Sequence, residues 1–93
     1  METKGKRLEI SIHGDVQGVS FRYYARDIAK KLGITGWIRN EADGSISMTV
    51  ECKEENLQNF LNWCHHGSPM ATIEKVESRE GKYTGEFKEF AIR

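Results

Sequence analysis

Cysteine, proline and excess charge are all scarce in this sequence. Its 93 residues include two cysteines and one proline, and 14 basic residues balance 14 acidic ones, giving a formal net charge of zero. Two cysteines do not make a disulfide framework, and a balanced chain lacks the basic excess of a nucleic-acid-binding domain. No apolar run is long enough to span a bilayer or to form a signal peptide behind METKGKR. We expect a cytoplasmic protein with neither a nucleic-acid nor a membrane partner.

The two cysteines lie too far apart to pair with each other. Cys52 and Cys64 flank a predicted helix, whose ends are separated by roughly 15 Å at a rise of about 1.5 Å per residue. Bridged Cα atoms lie within about 7 Å of one another. We therefore expect both thiols to be reduced.

The spacing of apolar residues predicts the secondary structure of the first half of the chain. RLEISIH (residues 7–13) alternates apolar and polar side chains, which predicts a strand with one solvent-facing side. FRYYARDIAKKL (21–32) has apolar residues at helical spacing, with Ser20 as the predicted N-cap and Gly33 as the stop. Alternation on both sides of an ADG turn predicts a β-hairpin over residues 35–52.

The second half of the chain repeats these patterns. A second amphipathic helix is predicted between Lys53 and Gly67, and ATIEKVES and EFKEFAI predict two more strands. The order is β-α-β-β-α-β with a short extra strand at the C-terminus. It predicts an α+β fold, the ferredoxin-like split βαβ sandwich, with one antiparallel sheet and two helices on one face. We expect a flexible tail over residues 1–6 and a single domain over residues 7–93.

The loop between the first strand and the first helix has the features of an anion site. The first amides of a helix lack internal partners, and the helix dipole adds positive charge at this end. Gly14 and Gly18 let the backbone approach a ligand closely. Arg22 falls in the first helical turn, where its charge is unfavourable unless an anion lies nearby. The pattern alone also fits a surface arginine that binds nothing, and the lysine and hydroxyl of a nucleotide P-loop are missing after Gly18.

HGDVQGVSFR (residues 13–22) resembles the signature of the acylphosphatase family. That signature has a glycine, then Val-Gln-Gly-Val, a variable residue, an aromatic residue and an arginine. The resemblance continues through LGITGWIRN, DGSI, GSPMATIEKV and the terminal FAI, in the family's order and spacing. It covers nearly the whole chain from Arg7 onward, and the family's fold is the ferredoxin-like sandwich.

The resemblance implies hydrolysis of an acyl phosphate to a carboxylate and inorganic phosphate, without metal, cofactor or phosphoenzyme. Arg22 matches the family's phosphate-binding arginine, and Asn40 matches the asparagine that orients the attacking water. On pattern alone, Asn40 is more typical of a turn residue before EADG. The phosphate of the substrate, inorganic phosphate or a similar anion is expected on the loop amides of Val16, Gln17, Gly18, Val19, Ser20, Phe21 and Arg22.

The chemistry of this reaction is compatible with the residues present. Phosphoryl transfer to water spreads charge over the equatorial oxygens, which amides and a bidentate guanidinium can stabilise. The leaving carboxylate is a weak base, with a free pKa of about 4, and needs no general acid. A water aligned by an amide side chain can pass its proton to the phosphate itself.

Asp15 departs from the family's pattern, in which a basic residue is frequent at this position. Two unit charges about 4 Å apart interact by roughly 4 kcal/mol at an effective dielectric constant of about 20, and by roughly 1 kcal/mol in water. We therefore expect the Asp15 side chain to point into solvent, because otherwise it weakens phosphate binding. Ser20 fills a variable position and Ser68 one where proline is frequent, and neither changes the predicted chemistry.

Three rival functions share some of these features. An RNA recognition motif has the same topology but stacks bases on aromatic residues of its open sheet face. The outward positions considered for that role carry no aromatic side chain: Arg7, Glu9, Ser11, His13, Ser45, Ser47, Thr49 and Glu51. A sensing module without turnover should lack Arg22 or Asn40. The third rival is a domain cut from a longer carbamoyl-phosphate-handling enzyme, although the start methionine and terminal strand favour a free-standing protein, which we expect to be a monomer.

The remaining polar and aromatic residues are expected to be structural. A zinc site would draw on His13, Cys64, His65 and His66, but it needs three or four convergent ligands, and Cys64 lies on the buried stripe of its helix. We expect no metal site. The aromatic residues Trp37, Trp63, Tyr23 and Tyr24 are predicted to pack around the edge of the core, and Met70 to fill a loop.

Overall fold

Five strands and two helices make up the part of the chain that the computed structural model describes, residues 5–93. They are β1 (Gly5–Asp15), α1 (Phe21–Leu32), β2 (Thr35–Asn40), β3 (Ile46–Lys53), α2 (Glu54–Cys64), β4 (Thr72–Gly81) and β5 (Phe90–Ile92). The predicted order of elements and the ferredoxin-like α+β fold are confirmed.

The first strand begins earlier than the sequence indicated. Gly5 and Lys6, which we had assigned to the tail, belong to β1 because they pair with Lys53 and Cys52 of β3. The rest of the predicted tail, residues 1–4, lies outside the described residues.

The sheet is mixed rather than purely antiparallel. Its strand order is β4-β1-β3-β2-β5, and the first four strands pair antiparallel as predicted. β5 pairs parallel with β2, because residues 82–89 carry the chain from one edge of the sheet to the other. We call this segment the crossover.

Both helices pack on one face of the sheet and enclose a single core. The core consists of Ile10, Ile12, Val16, Phe21, Ala25, Ala29, Ile34, Ile38, Ile46, Met48, Val50, Leu57, Phe60, Cys64 and Phe90. The Trp63 ring lies between those of Phe21 and Phe60, with centroid distances of 5.2 and 6.1 Å, and joins the two helices. Cys52 and Cys64 are both free, as predicted, and burial raises the pKa of the Cys64 thiol.

The opposite face of the sheet is less open than alternation predicted. Thr49 and Glu51 point away from the helices but are only 4% and 2% exposed. The crossover covers Glu51, because its backbone amides at Thr84 and Gly85 donate hydrogen bonds of 2.9 and 3.0 Å to the Glu51 carboxylate. The Thr49 hydroxyl instead donates to the Glu9 carboxylate of β1 at 2.9 Å. Our expectation that Thr49 and Glu51 face solvent is therefore wrong.

A bulge near the end of β1 directs the chain toward the first loop. The register of β1 against β4 shifts between His13 and Gly14. Gly14 has a φ of +134°, and a Cβ at this position would collide with the carbonyl oxygen of Thr72. Glycine is therefore required where β1 turns out of the sheet and into the loop.

Candidate active site

The first loop is anchored at both ends and open between them. Val16 and Phe21 are each 1% exposed and belong to the core, whereas Gly18 and Ser20 between them are exposed. Gly67 lies behind Phe21, and a Cβ there would come within 3.0 Å of the Phe21 ring. The buried residues thus hold in place a loop whose backbone faces outward.

The backbone of this loop adopts left-handed conformations at two positions. Gly18 has a φ of 75°, and Ser20, with a φ of 60°, is the one non-glycine residue with positive φ among residues 5–93. Ser20 is the N-cap of α1, as predicted, but its side chain makes no capping hydrogen bond. An N-cap residue normally adopts an extended conformation to cap the helix. The left-handed Ser20 leaves the first amides of α1 free.

The backbone amides of residues 16–22, which we call the cradle, have no hydrogen-bond acceptor among the described residues. The amide of Tyr24 donates to the carbonyl of Ser20 at 3.1 Å and so begins the helical pattern. No hydrogen bond identified within residues 5–93 is donated by a backbone amide of the cradle. Free amides in left-handed turns at a helix N-terminus form a concave site for anions.

The predicted catalytic residues Arg22 and Asn40 line one hollow of about 200 Å³. Asn40 is the last residue of β2 and lies two positions after the core residue Ile38, so its side chain is on the same face. The other residues that line the hollow are Val16, Gly18, Ser20, Phe21 and Tyr23. The hollow is smaller than the roughly 300–1,000 Å³ of sites for drug-sized ligands, and it suits a small anion.

Arg22 has no partner among the side chains of residues 5–93. It takes part in none of the hydrogen bonds or ion pairs there, unlike Arg7 and Arg39, which bind Glu51 and Glu41 at 2.9 and 2.7 Å. A guanidinium next to free amides carries two or more donors suited to a planar or tetrahedral oxyanion.

The side chain of Gln17 joins the cradle to the β2–β3 turn. Its amide nitrogen donates to the carbonyl oxygens of Glu41 at 2.7 Å and Ser45 at 2.9 Å. Glu41 directly follows Asn40, so these bonds fix the position of the cradle relative to the Asn40 side chain. We had considered only the backbone amide of Gln17; its place in the signature was the available signal for a further role.

Ser68 supports the cradle from the opposite side. It is 2% exposed, and its hydroxyl donates to the carbonyl of Val19 at 2.8 Å. The loop between α2 and β4 is thereby attached to the cradle. A serine at a position where proline is frequent carried no sequence signal for this contact, because the contact joins residues 49 positions apart.

The carboxylates near the site are either exposed or engaged. Asp15 is exposed, in agreement with the expectation that its side chain points into solvent. In the β2–β3 turn, the hydrogen bond from Arg39 lowers the pKa of Glu41, and hydrogen bonds from the Ser45 hydroxyl and amide lower the pKa of Asp43. Both turn carboxylates are therefore engaged by local partners.

Tyr23, Tyr24 and Met70 do not pack as predicted. Their exposed fractions are 53%, 45% and 77%, because they lie around the cradle rather than at the edge of the core. Tyr23 lines the hollow of Arg22 and Asn40.

Other parts of the molecule offer less to a ligand. A hollow of about 260 Å³ between β1, α2 and β4 contains Lys6, but Lys6 is already bound to Glu54 and Glu80, each at 2.9 Å. Residues 5–93 contain no group of three or more His, Cys, Asp or Glu side chains placed to hold a metal ion. In the same residues, neither helix is long and apolar enough to cross a membrane.

Comparison with known proteins gives consistent matches over nearly the whole chain. The acylphosphatase family model matches residues 8–92. An acylphosphatase from a Nocardioides species is 42% identical over 86 residues, which is 92% of this chain and 86% of that protein. One from Methylococcus capsulatus is 41% identical over 87 residues, 94% of this chain and 95% of its own length. The crystal structure of acylphosphatase from Bacillus subtilis matches with a TM-score of 0.91 and 31% identity, covering 95% of this chain and 98% of that one.

Proposed function

The chain belongs to the acylphosphatase family and is an enzyme that hydrolyses acyl phosphates, and we propose that it does so by direct attack of water on phosphorus. In this mechanism the cradle amides and Arg22 bind the phosphate, and Asn40 orients the water. The observation that supports it is the common hollow of Arg22, Asn40 and the cradle.

Phosphate binding is assigned to the cradle because its donors have no other acceptor. The amides of residues 16–22 and the Arg22 guanidinium are unpaired within residues 5–93. Donors that are fixed before the substrate arrives need no reorganisation as negative charge shifts onto the equatorial oxygens, and such preorganisation is usually the largest electrostatic contribution to catalysis.

Asn40 is assigned to the water because of where β2 ends. Its carboxamide carries both an acceptor and a donor, and it borders the hollow that Arg22 also lines. A water held by the carboxamide oxygen can approach phosphorus opposite the leaving carboxylate, as in-line displacement requires.

The proton steps need no further side chain. The attacking water loses its proton to a phosphate oxygen, the P–O bond to the acyl group breaks, and the carboxylate leaves as a stable anion. The residues lining the hollow, all within the described chain, contribute no carboxylate, histidine or thiol. Positioning and charge stabilisation are therefore the contributions that this site offers.

The test is the release of benzoate from benzoyl phosphate in the presence of EDTA. Arg22→Gln and Asn40→Ala should each lower kcat/KM by about 100-fold or more. Arg79→Gln on β4 and Asn59→Ala on α2 replace exposed residues outside the hollow; they are matched controls and should keep wild-type rates. Inorganic phosphate should still inhibit Asn40→Ala but not Arg22→Gln, which separates binding from water positioning.

A wild-type protein that binds phosphate at the cradle without hydrolysing benzoyl phosphate would contradict this mechanism and favour the sensing-module alternative. Equal activity of Asn40→Ala and wild type would remove the assigned role of Asn40 alone.

We also propose that the enzyme acts as a cytoplasmic monomer. The free thiols of Cys52 and Cys64 are typical of a reducing compartment. Sedimentation velocity at micromolar concentration should give a single species at the mass of one chain, 10.7 kDa.

A further inference from the structure

Exposed apolar side chains are concentrated around the cradle. Within residues 5–93 the large hydrophobic residues that are well exposed are Tyr23, Tyr24, Met70 and Tyr83. The first three border the cradle, and only Tyr83 lies elsewhere, near Glu51 and Phe87. Clustered exposed apolar side chains mark binding surfaces more often than scattered ones do.

Tyr24, Pro69 and Met70 form one wall of a second hollow, of about 300 Å³, whose other wall is the cradle residues Gly18, Val19 and Ser20. We call these three side chains the acyl shelf. The hollow shares Gly18 and Ser20 with the hollow of Arg22 and Asn40. The two hollows therefore meet at these two residues of the cradle.

The Ser68 contact fixes the position of Pro69 and Met70 in the acyl shelf, and Tyr24 belongs to α1. The Ser68 hydroxyl holds the Val19 carbonyl at 2.8 Å, and the Ala71 amide closes a turn onto the Ser68 carbonyl at 3.0 Å. Pro69 and Met70 are the two residues inside this turn. The turn therefore keeps two apolar side chains beside the cradle despite their exposure.

Asn40 lines the first hollow but not the second. In an in-line displacement the leaving group departs opposite the attacking water. With the water at Asn40 and phosphorus at the cradle, the acyl group lies on the side of the cradle away from Asn40. The acyl shelf borders the cradle without sharing Asn40, as this geometry requires.

We propose that the acyl shelf binds the acyl group of the substrate and that the enzyme prefers acyl phosphates with a bulky, uncharged, apolar acyl group. This inference rests on the proposed function. The six residues that line the second hollow, all in the described chain, carry no ionisable group that would pair with a charged acyl chain. An aromatic or branched acyl group gains apolar contact there, whereas an acetyl group is too short to do so.

The test compares benzoyl phosphate with acetyl phosphate in wild type and in Tyr24→Ala and Met70→Ser. Wild type should have the higher kcat/KM for benzoyl phosphate. Each variant should lower that preference by about fivefold to twentyfold, the range expected for losing a few apolar contacts. The loss of preference should appear as a higher KM for benzoyl phosphate. The kcat/KM for acetyl phosphate should stay within twofold of the wild-type value.

Conservative and distant variants serve as controls. Tyr24→Phe and Met70→Leu keep the apolar surface and should retain the wild-type preference. Tyr83→Ala removes a tyrosine that is 48% exposed, similar to the 45% of Tyr24, from a different part of the surface. Tyr83→Ala should leave kcat/KM unchanged for both substrates.

Analogue binding separates this inference from the proposed function. Phenacylphosphonate and acetonylphosphonate carry a methylene in place of the bridging oxygen, and calorimetry measures their affinities without turnover. A higher affinity for the phenacyl compound that falls in Tyr24→Ala and Met70→Ser supports the acyl shelf even if hydrolysis fails. Equal affinities, or a preference unchanged by both variants, would overturn it while leaving measured hydrolysis and the role of Arg22 intact.

Discussion

Backbone amides and an arginine converge at two places in this molecule, and they differ in whether the chain supplies the anion. On the outer face of the sheet, the Glu51 carboxylate accepts hydrogen bonds from Arg7 at 2.9 Å and from the amides of Thr84 and Gly85 at 2.9 and 3.0 Å. In the cradle the same kinds of donor, with Arg22, meet no acceptor within residues 5–93. The first set of donors stabilises the fold, and the second remains available to a substrate.

The electrostatics of Glu51 show what such donors can do for an anion. Burial by itself raises the pKa of this carboxyl group, yet the amide of Thr84, the Arg7 side chain and the amide of Gly85 together lower it below its usual value. Donors fixed in advance thus outweigh the desolvation of a negative charge. The same principle explains how the cradle can hold a phosphate that has lost its water.

Substituting Arg22 and Arg7 should have opposite effects on activity and stability, and the larger effect is expected at the cradle. Arg22→Gln should lower kcat/KM by about 1,000-fold, or roughly 4 kcal/mol of transition-state stabilisation. Its free energy of unfolding should stay the same or rise by about 0.3–1 kcal/mol, because an unpaired cation leaves a helix N-terminus. Urea denaturation and steady-state kinetics on the same preparation measure both. A loss of stability above 1 kcal/mol would show that Arg22 is not free.

Arg7→Gln should lower the free energy of unfolding and leave activity nearly unchanged. Glu51 would keep its buried charge but lose its cation, and breaking a buried pair costs about 3 kcal/mol. Because the Arg7 side chain is only 17% exposed, solvent compensates little. Benzoyl phosphate hydrolysis below the unfolding transition should stay within twofold of wild type. Unchanged stability would mean that the crossover amides alone hold Glu51.

Acidification should destabilise the fold by protonating Glu51 and so removing the internal anion. The lowered pKa of Glu51 means that the unfolded state binds its proton more readily, so the stabilisation is complete above the ordinary glutamate pKa of about 4.3 and is lost as pH falls below it. Urea denaturation between pH 7 and pH 3 should show a smaller decline for Glu51→Gln than for wild type. Parallel declines in the two proteins would assign the acid sensitivity to other carboxylates, such as Glu41 and Asp43.

The secondary structure was predictable because it depends on local periodicity. The alternation in β1 and the helical spacing in α1 are visible within a few residues, and Gly33 ends α1 as predicted, in a left-handed conformation. The cover over Glu51 was not predictable, because its donors Thr84 and Gly85 precede the predicted strand EFKEFAI and their contacts with Glu51 span more than 30 positions. That strand is also shorter than predicted, since β5 begins at Phe90. Alternation assigns a residue to a face of the sheet but does not say what lies over that face.

The site was predictable where it depends on sequence order and not where it depends on distant side chains. The resemblance indicated Arg22 and Asn40, and the structure places them around one hollow. The contacts that position the cradle, from Gln17 to the β2–β3 turn and from Ser68 to Val19, join segments that only the folded chain brings together. Trp37 was also missed as an outward aromatic residue; the guanidinium groups of Arg39 and Arg93 lie 4.9 and 5.1 Å from its ring.

Asp15→Asn should give the smallest effect on kinetics, and it tests whether a nearby surface charge weakens phosphate binding at the cradle. Asp15 is exposed at the end of β1, so its repulsion of a bound phosphate is limited to about 1 kcal/mol, the value for close charges in water. KM for benzoyl phosphate should fall by up to about fivefold with little change in kcat. The difference should vanish near 1 M salt, where the Debye length is about 3 Å. Asp27→Asn on α1 is the control and should not alter KM. An unchanged KM for Asp15→Asn would show that solvent already screens Asp15 from the cradle, and a higher KM would contradict repulsion by Asp15.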